Sequence, residues 1–207
     1  MAITTYDELV AAIPKWAERK DISSDQIKEF ISMAEADTSH MLRVPAMEFN
    51  TLLTVSNKSI IIPPDMLELR ALTWQGQFQT RLQYLPWDEF VAADANQNTT
   101  NVMYYSRQGN IWFLTGDPGD GATILCNYFG YIDALSTSNQ QNWLIGMSPM
   151  AYLFGGLKYL YEFTMEQERA AYWGAKFIGE INKLQAIADN AEYRGSAIAI
   201  RQYPTGV

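Results

Sequence analysis

The spacing of apolar residues changes twice along this chain, and the change of period constrains the fold more than any other feature. Residues 1–45 and 139–190 carry apolar side chains three or four positions apart, as amphipathic helices do. Residues 46–135 instead contain short runs bounded by Gly, Pro and Asn, which is typical of strands and turns. This order predicts an α+β fold. We expect one domain in which the terminal helices form an antiparallel bundle, the middle is an inserted antiparallel β-rich region, and residues 191–207 are an extended tail.

The two N-terminal helices have clear start signals in the sequence. Thr5 is followed three residues later by Glu8, and Ser23 is followed by Gln26 at the same distance. This is the spacing of a capping box, in which each side chain binds a backbone N–H that the helix leaves unpaired. The pattern predicts two separate helices, the first of which is expected to end near Lys20.

Other residues limit the remaining helices. Pro14 lies inside the first helix, where it removes a backbone donor and is expected to kink the axis. The second helix is expected to stop near Arg43. In the last third, the apolar residues of 150–161 predict one helix. A longer helix is expected to begin after Thr164, with a capping contribution from Glu168.

The middle of the chain divides into short strands. The segment 66–74 fits either a strand or a helix, whereas 86–95 predicts a short helix. Apolar residues on both faces of 122–131 indicate a central strand that is buried on two sides. Polar turns are expected at 56–58 and 108–110, each joining the two strands beside it. The predicted strands are Met47–Val55, Ser59–Ile62, Phe78–Leu85, Val102–Ser106, Ile111–Leu114 and Ala122–Tyr131.

Charge and cysteine content argue against several classes of protein. A net charge of −8 disfavours a protein that follows nucleic-acid phosphates, although DNA can pass through an acidic channel without sticking. Cys126 is the only cysteine, so no intrachain disulfide can form, and synthesis in a reducing cytosol is expected. We find neither a signal-peptide pattern at the start nor an apolar stretch long enough to span a membrane.

Aromatic residues are numerous, with six Trp, twelve Tyr and nine Phe among 207 residues. Some of them belong to the core. Trp16, for example, continues the apolar face of Leu9 and Ile13 at helical spacing. The excess indicates a large partner surface, because the centres of protein interfaces favour aromatic side chains.

No residue pattern predicts catalysis, a cofactor or a metal site. His40 is the only histidine, and its position at a helix end favours an interaction with the helix dipole over a role as a base. Cys126 lies in a strand and is expected to be a small buried hydrophobe. These two residues are too few for a structural zinc site. The Asp- and Gly-rich run 115–121 lacks the alternation of a calcium loop and predicts a turn.

Two further patterns have a simpler structural interpretation. Gly155 and Gly156 lie inside an apolar helix instead of between a strand and a helix, so close helix packing is expected and phosphate binding is not. A catalytic carboxylate pair can be imagined among four acidic residues, but a solvated helix face is favoured. These residues are Asp133, Glu162, Glu166 and Glu168.

Several strings resemble, in order along nearly the whole chain, those of podovirus-type phage adaptor proteins. The matching N-terminal residues are Phe30, Ile31, Ala34, Glu35, Leu42 and Arg43. The match continues through 62–72 and through the hairpin at 104–114. The matching C-terminal residues are Leu135, Ser136, Asn142, Trp143, Leu144, Tyr152, Leu153, Gly155, Leu157, Glu168, Arg169, Ala170 and Trp173. Met150 and the run 164–169 depart from the residues usual in that family.

The resemblance implies a non-enzymatic head-to-tail adaptor (connector). Such a protein forms a dodecameric ring that connects the portal protein to the tail nozzle and continues the DNA channel, and tail fibres are a further implied partner. The resemblance also implies a place in the virion at the head–tail interface, after synthesis in the cytoplasm of the bacterial host. The residue patterns above predict no cofactor and no membrane contact, and the DNA is expected to pass through the channel without sequence-specific binding.

By the same resemblance, the C-terminal tail is expected to reach the portal, and the strand-rich part is expected to face the tail. The run 197–201 alternates, so it can add a strand to the sheet edge of a partner, and a disordered end is an equal alternative. The residues expected to contact the portal are Arg194, Ala197, Ile198, Ile200, Arg201 and Tyr203.

Two other functions stay open at this point. The first is another virion component, such as a tail-tube or fibre-attachment protein, against which the helical ends argue because fibres are rich in β structure. The second is an enzyme such as a virion hydrolase, which would require two converging carboxylates with shifted pKa values.

Overall fold

The computed structural model describes residues 3–76, 79–96 and 102–193. These residues form six α-helices, a 3-10 helix at Pro45–Met47 and two four-stranded sheets, which confirms the expected α+β class. The α-helices are α1 (Tyr6–Ala17), α2 (Ser24–Met41), α3 (Trp87–Asn96), α4 (Trp143–Met147), α5 (Pro149–Phe163) and α6 (Gln167–Tyr193). The strands are β1 (Glu48–Thr54), β2 (Ser59–Ile61), β3 (Met66–Gln75), β4 (Gln79–Arg81), β5 (Gln83–Tyr84), β6 (Tyr104–Gln108), β7 (Ile111–Leu114) and β8 (Thr123–Gly130).

The described residues group into two compact units. The helical unit comprises the described residues of 1–44 and 134–207, and the β unit comprises residues 45–133. Segments that are far apart in sequence therefore build the helical unit. The assignment of the whole chain to one adaptor domain stays a prediction.

Local hydrogen bonds start α1 and α2 where the sequence predicts. The Oγ1 atom of Thr5 accepts a hydrogen bond from the Glu8 N–H at 3.3 Å, and the Glu8 carboxylate accepts one from the Thr5 N–H at 3.2 Å. Ser23 and Gln26 form the same reciprocal pair at the start of α2. Both capping boxes are confirmed, and each satisfies backbone donors that helix geometry leaves unpaired.

Helix α1 ends earlier than expected. It continues through Pro14 as far as Ala17, and Glu18 then adopts a left-handed conformation with φ of 54°. The Glu18 N–H donates to the carbonyl oxygen of Lys15 and closes the last turn. The predicted end near Lys20 is therefore three residues too late.

Arg43, which was the expected end of the second helix, instead caps that helix. α2 ends at Met41, and Leu42 is extended. The Arg43 Nη1 atom donates to the carbonyl oxygens of Ser39 and Leu42 at 3.1 and 2.6 Å. A cation at this position satisfies carbonyl groups that the helix leaves unpaired and complements its dipole.

Helix α5 contacts α1, α2, α4 and α6 within the helical unit. Its glycines allow close approach. A Cβ atom at Gly155 would lie 2.6 Å from Ala34 Cβ, and one at Gly156 would lie 2.6 Å from Ile13 Cδ1. The close packing expected at this glycine pair is confirmed. The antiparallel bundle arrangement of the helices stays a prediction.

Helix α6 begins later than the expected start after Thr164. Thr164 instead caps the end of α5, and Met165 follows it with φ of 60°. These residues form the turn between α5 and α6, so α6 begins only at Gln167. Glu168 lies in its first turn, where the helix dipole favours an acidic side chain.

The β unit contains two sheets with strand orders β1-β8-β3-β4 and β2-β7-β6-β5. All pairs are antiparallel except β5 with β6, so the expectation of a wholly antiparallel region is corrected at that edge. β8 lies between β1 and β3, which confirms its predicted central position, but the prediction that both of its faces are buried is wrong. Ile124, Cys126 and Tyr128 are buried on one face of β8, whereas its other face is only partly buried.

Sheet pairing corrects two strand predictions. A tight turn at Asn57 and Lys58 joins β1 to β2 as expected, but the two strands enter different sheets. The single strand expected up to Leu85 is divided: β4 pairs with β3, and β5 pairs with β6. Leu82, between them, is buried, and Phe78 lies outside the described residues. For 66–74, the strand alternative is the correct one.

Both sheets contribute to one core. Leu72 and Ile124 from the first sheet belong to the same buried cluster as Trp112 and Leu114 from the second. Each of these side chains is at most 1% exposed. Because successive side chains of a strand point to opposite faces, one face of each sheet contributes its apolar side chains to this shared core.

Candidate interaction surfaces

The six residues expected to contact the portal lie outside the described residues. They are Arg194, Ala197, Ile198, Ile200, Arg201 and Tyr203. Their role stays a prediction.

The single histidine and the single cysteine lie where the sequence predicts. His40 is exposed in the last turn of α2. Cys126 is fully buried in β8, and burial raises the pKa of its thiol to about 12. Such a thiol stays protonated at neutral pH and is a poor nucleophile. The interpretation of Cys126 as a small buried side chain is confirmed.

The Asp- and Gly-rich run after β7 is a turn, as expected. Gly116, Gly119 and Gly121 have positive φ, and the Asp117 carboxylate accepts a hydrogen bond from the Gly119 N–H at 3.3 Å. Within residues 3–76, 79–96 and 102–193, no group of three or more His, Cys, Asp or Glu is placed to hold a metal ion. In the same residues, no helix is long and apolar enough to cross a membrane.

The four acidic residues that were candidates for a catalytic carboxylate pair lie at the solvated surface, as the sequence favoured. Glu166 binds Arg19 at 2.6 Å and Arg169 at 3.2 Å. Arg19 also binds Asp21, and this hydrogen bond lowers the pKa of that exposed carboxyl to about 2. The other three residues are exposed, namely Asp133, Glu162 and Glu168.

Aromatic side chains from α1, α5 and α6 form a partly exposed surface, here called the aromatic patch (Trp16, Phe154, Tyr172 and Trp173). The Trp173 ring centre lies 6.1 Å from that of Trp16, 5.1 Å from that of Tyr172 and 5.6 Å from that of Phe154. Trp16 is 49% exposed and Tyr172 is 56% exposed. Side chains of this size, held by one another and open to solvent, are suited to protein contacts.

The prediction that Trp16 joins the core face of α1 is wrong. Leu9 and Ile13 are fully buried, but the next buried position is Ala17. These three residues are spaced by four, so they form the inward stripe of the helix. Trp16 lies beside that stripe, where it is partly exposed to solvent and contacts the ring of Trp173.

Basic side chains border the aromatic patch. The Lys176 Nζ atom lies 5.7 Å from the ring centre of Tyr172, and Lys15 is exposed beside Trp16 on α1. Neither lysine takes part in an ion pair of the described residues. Two lysines outside the ion pairs of the described residues therefore border the patch, and the exposed Glu168 lies one turn before Tyr172 on α6.

Helix α3 presents a second exposed apolar surface, here called the α3 stripe (Trp87, Val91 and Ala95). Trp87 is 38% exposed, Val91 is 50% exposed, and Ala95 is also exposed. Asp88 and Glu89 are exposed in the first turn of the same helix. Asp88 lies next to the stripe, and its charge is opposite to that of the two lysines beside the aromatic patch.

A network of buried polar groups connects several segments of the helical unit. Glu35 on α2 is only 7% exposed. Its carboxylate accepts hydrogen bonds from the Tyr152 hydroxyl at 2.6 Å, the Leu135 N–H at 3.2 Å and the Asn142 side-chain amide at 3.3 Å. Burial and the adjacent carboxylate raise the pKa of Tyr152, so its hydroxyl stays a donor. The network binds the segment that enters α4 to α2 and α5.

Sequence reasoning missed this network, although its signal was present. Glu35 follows the buried Ala34 within the apolar stripe of α2, where a charged side chain requires hydrogen-bond partners. All four participants, Glu35, Leu135, Asn142 and Tyr152, are among the residues on which the adaptor resemblance rests. The fold thus brings together dispersed elements of that pattern at one site.

Comparison with known proteins identifies the family of this chain. A family model described as SU10 adaptor protein matches residues 4–201. The chain belongs to the SU10 adaptor protein family, and the resemblance to phage head-to-tail adaptors is confirmed. Membership implies a structural adaptor role in a phage virion, in contact with other head and tail components. No curated protein matches the chain.

Proposed function

We propose that this chain assembles with copies of itself into a dodecameric ring that connects the portal protein to the tail nozzle. The family match over residues 4–201 carries the proposal. The ring surrounds the DNA channel, has no catalytic role and contacts the nozzle protein and tail fibres on its tail side. When one surface of a subunit binds a different surface of its neighbour, the contact generates a ring if the rotation between subunits closes.

The charge of the chain suits a channel lining. A net charge of −8 repels DNA phosphates, so the DNA moves through the ring without binding to it. No sequence-specific contact with DNA is required in this role. The protein acts through shape and adhesion between subunits.

The C-terminal tail from Arg194 is the proposed portal contact. It follows α6 directly and contains two arginines and no acidic residue, so it differs in charge from the rest of the chain. Ile198 and Ile200 lie at alternate positions, so an extended tail presents both to the same side.

Electron microscopy of the full-length chain with its cognate portal protein tests the proposal. We expect twelvefold rings on one end of the portal. Replacement of both Ile198 and Ile200 with Asp is expected to abolish co-sedimentation with the portal, whereas Thr205→Asp serves as a tail control that retains it. Trimers or sixfold rings without portal contact would instead favour a fibre-attachment or tail-tube protein. A chain that stays monomeric and does not co-sediment with the portal contradicts the adaptor ring.

A further inference from the structure

One side of α3 carries three exposed apolar residues. Trp87, Val91 and Ala95 are spaced by four, so they follow one side of the helix, while Phe90 faces inward and is 5% exposed. A surface helix usually presents polar side chains to water on its outer face. Here one exposed side of the helix is apolar, and apolar residues one turn apart are a feature of amphipathic helices that bind a hydrophobic groove or patch.

Trp87 is held in place before any partner arrives. Its ring stacks on Phe90 with 5.5 Å between ring centres and meets Phe113 edge-on at 5.5 Å. An aromatic side chain that is already ordered loses little conformational entropy on binding, and Trp is a frequent energetic centre of protein interfaces. Trp87 therefore has the properties of an anchor residue.

The charged residues beside the two surfaces are complementary. Asp88 is exposed next to the α3 stripe, Glu89 is exposed further round the same helix, and neither takes part in an ion pair of the described residues. Lys15 and Lys176, beside the aromatic patch, are likewise outside those ion pairs. Opposite charges around two apolar surfaces guide the correct pairing and disfavour the pairing of either surface with itself.

We propose that the α3 stripe of one copy of this chain docks on the aromatic patch of the next copy. The inference rests on the proposed ring and identifies its subunit contact. Trp87 and Val91 pack against Trp16 and Tyr172, and Asp88 approaches the lysines beside the patch, Lys15 and Lys176. Because the two surfaces differ, the contact is heterologous, which is the type that propagates from subunit to subunit around a ring.

Two single substitutions separate the two sides of the contact. Tyr172→Asp disables the aromatic patch and leaves the α3 stripe intact, while Val91→Asp does the reverse. Both side chains are at least half exposed, so each variant is expected to fold, which circular dichroism verifies. Burial of a carboxylate in an apolar contact is expected to weaken association by about tenfold or more.

Sedimentation velocity of the full-length chains gives the decisive comparison. Each variant alone is expected to remain monomeric at concentrations where the wild type associates. An equimolar mixture is expected to form a one-to-one dimer and nothing larger, because only one intact patch and one intact stripe remain to pair. Ile178→Asp and Leu52→Asp alter exposed apolar residues outside both surfaces and are the matched controls, expected to associate like the wild type.

Charge reversal provides a second readout. Lys176→Glu is expected to weaken association, and Asp88→Lys in the same chain is expected to restore it, because each subunit then carries the reversed pair. A double variant that associates no better than Lys176→Glu alone contradicts the proposed orientation of the charged residues.

The outcomes distinguish this contact from the ring itself. If the free chain is monomeric, the same variants are assembled on the portal and ring yield replaces sedimentation. Twelvefold rings that form equally well with Val91→Asp and Tyr172→Asp overturn the proposed contact and leave the adaptor ring intact. A wild-type chain that forms no ring with the portal overturns the proposed function instead. A mixture of variants that stays monomeric where the wild type assembles also overturns the contact.

Discussion

Tyr152 contributes to stability through one hydrogen bond to a buried carboxylate. Its hydroxyl lies 2.6 Å from Glu35, and both residues are buried. We expect Tyr152→Phe to lower the free energy of unfolding by about 1–3 kcal/mol, because it removes a donor to a charged group that water cannot reach. Urea denaturation followed by circular dichroism measures the change.

Tyr172→Phe is the matched control for that substitution. Its side chain is 56% exposed, so water replaces any lost hydrogen bond, and the expected change is below about 0.5 kcal/mol. Equal effects of the two substitutions would show that the Glu35 network does not stabilise the helical unit.

Gly155 is required by the distance between α5 and α2. A methyl group there would lie 2.6 Å from Ala34 Cβ, which belongs to the rigid part of a buried residue. Overpacking costs about 1–3 kcal/mol, and the higher helix propensity of Ala offsets up to about 1 kcal/mol of it. We therefore expect Gly155→Ala to lower the melting temperature.

Gly179→Ala on α6 tests the propensity effect alone. Among the residues that the structure describes, no atom outside its own helix lies within 4 Å of the added Cβ atom, so the substitution is expected to stabilise the protein by up to about 1 kcal/mol. Differential scanning calorimetry of both variants gives the comparison. A stabilising effect at Gly155 would contradict the packing explanation.

At the scale of elements, Asp37 joins α2 to α5. Its carboxylate accepts hydrogen bonds from the Tyr159 hydroxyl at 2.6 Å and from Lys158 Nζ at 3.1 Å. Burial raises the pKa of Asp37, but these two hydrogen bonds, together with the charges of Lys158 and His40, outweigh it, so the pKa lies below its ordinary value of 3.8. A lowered carboxyl pKa stabilises the fold above pH 3.8, and this contribution is lost as the pH falls through the folded-state pKa.

We expect Asp37→Asn to destabilise the protein by about 1 kcal/mol at neutral pH. The difference from the wild type should shrink as the pH falls below 3.8, where the wild-type carboxyl also becomes neutral. Urea denaturation as a function of pH measures it. Asp25→Asn removes an exposed ion pair with Lys28 and is expected to change stability by less than about 0.5 kcal/mol. A difference for Asp37→Asn that does not vary with pH would contradict the assigned role.

Elements were predicted best where their signals are local. The capping boxes at Thr5 and Ser23 depend on residues three positions apart, so the sequence alone identifies them. The division of β4 from β5 depends on pairing with two different sheets, and the exposure of Trp16 depends on neighbouring helices. No short-range pattern encodes those partners.

At the scale of the whole molecule, the two units differ in how their segments are ordered along the chain. The β unit is continuous, and all twelve residues of its buried cluster lie between Val55 and Tyr128. In contrast, α1 and α2 precede the β unit and contact α5, which follows it. Folding of the helical unit therefore requires closure of a long loop.

We expect a fragment of residues 45–133 to unfold cooperatively in urea, because it contains its own core. A fragment of residues 1–44 is expected to be largely unfolded, since helices of 12 and 18 residues are marginal without their partners. Circular dichroism of both fragments makes the measurement. A fragment 45–133 without a cooperative transition would show that the β unit depends on the rest of the chain.

The sequence by itself determined the α+β class, most helix starts, the central strand and the buried state of Cys126, because these follow from residue spacing and side-chain chemistry over short distances. Its resemblance to phage adaptors also identified the family. Only the tertiary structure decided that Glu35, Leu135, Asn142 and Tyr152 form one network, and that the aromatic patch and the α3 stripe are exposed. Convergence and exposure depend on how distant segments pack, and no local pattern of residues carries that information.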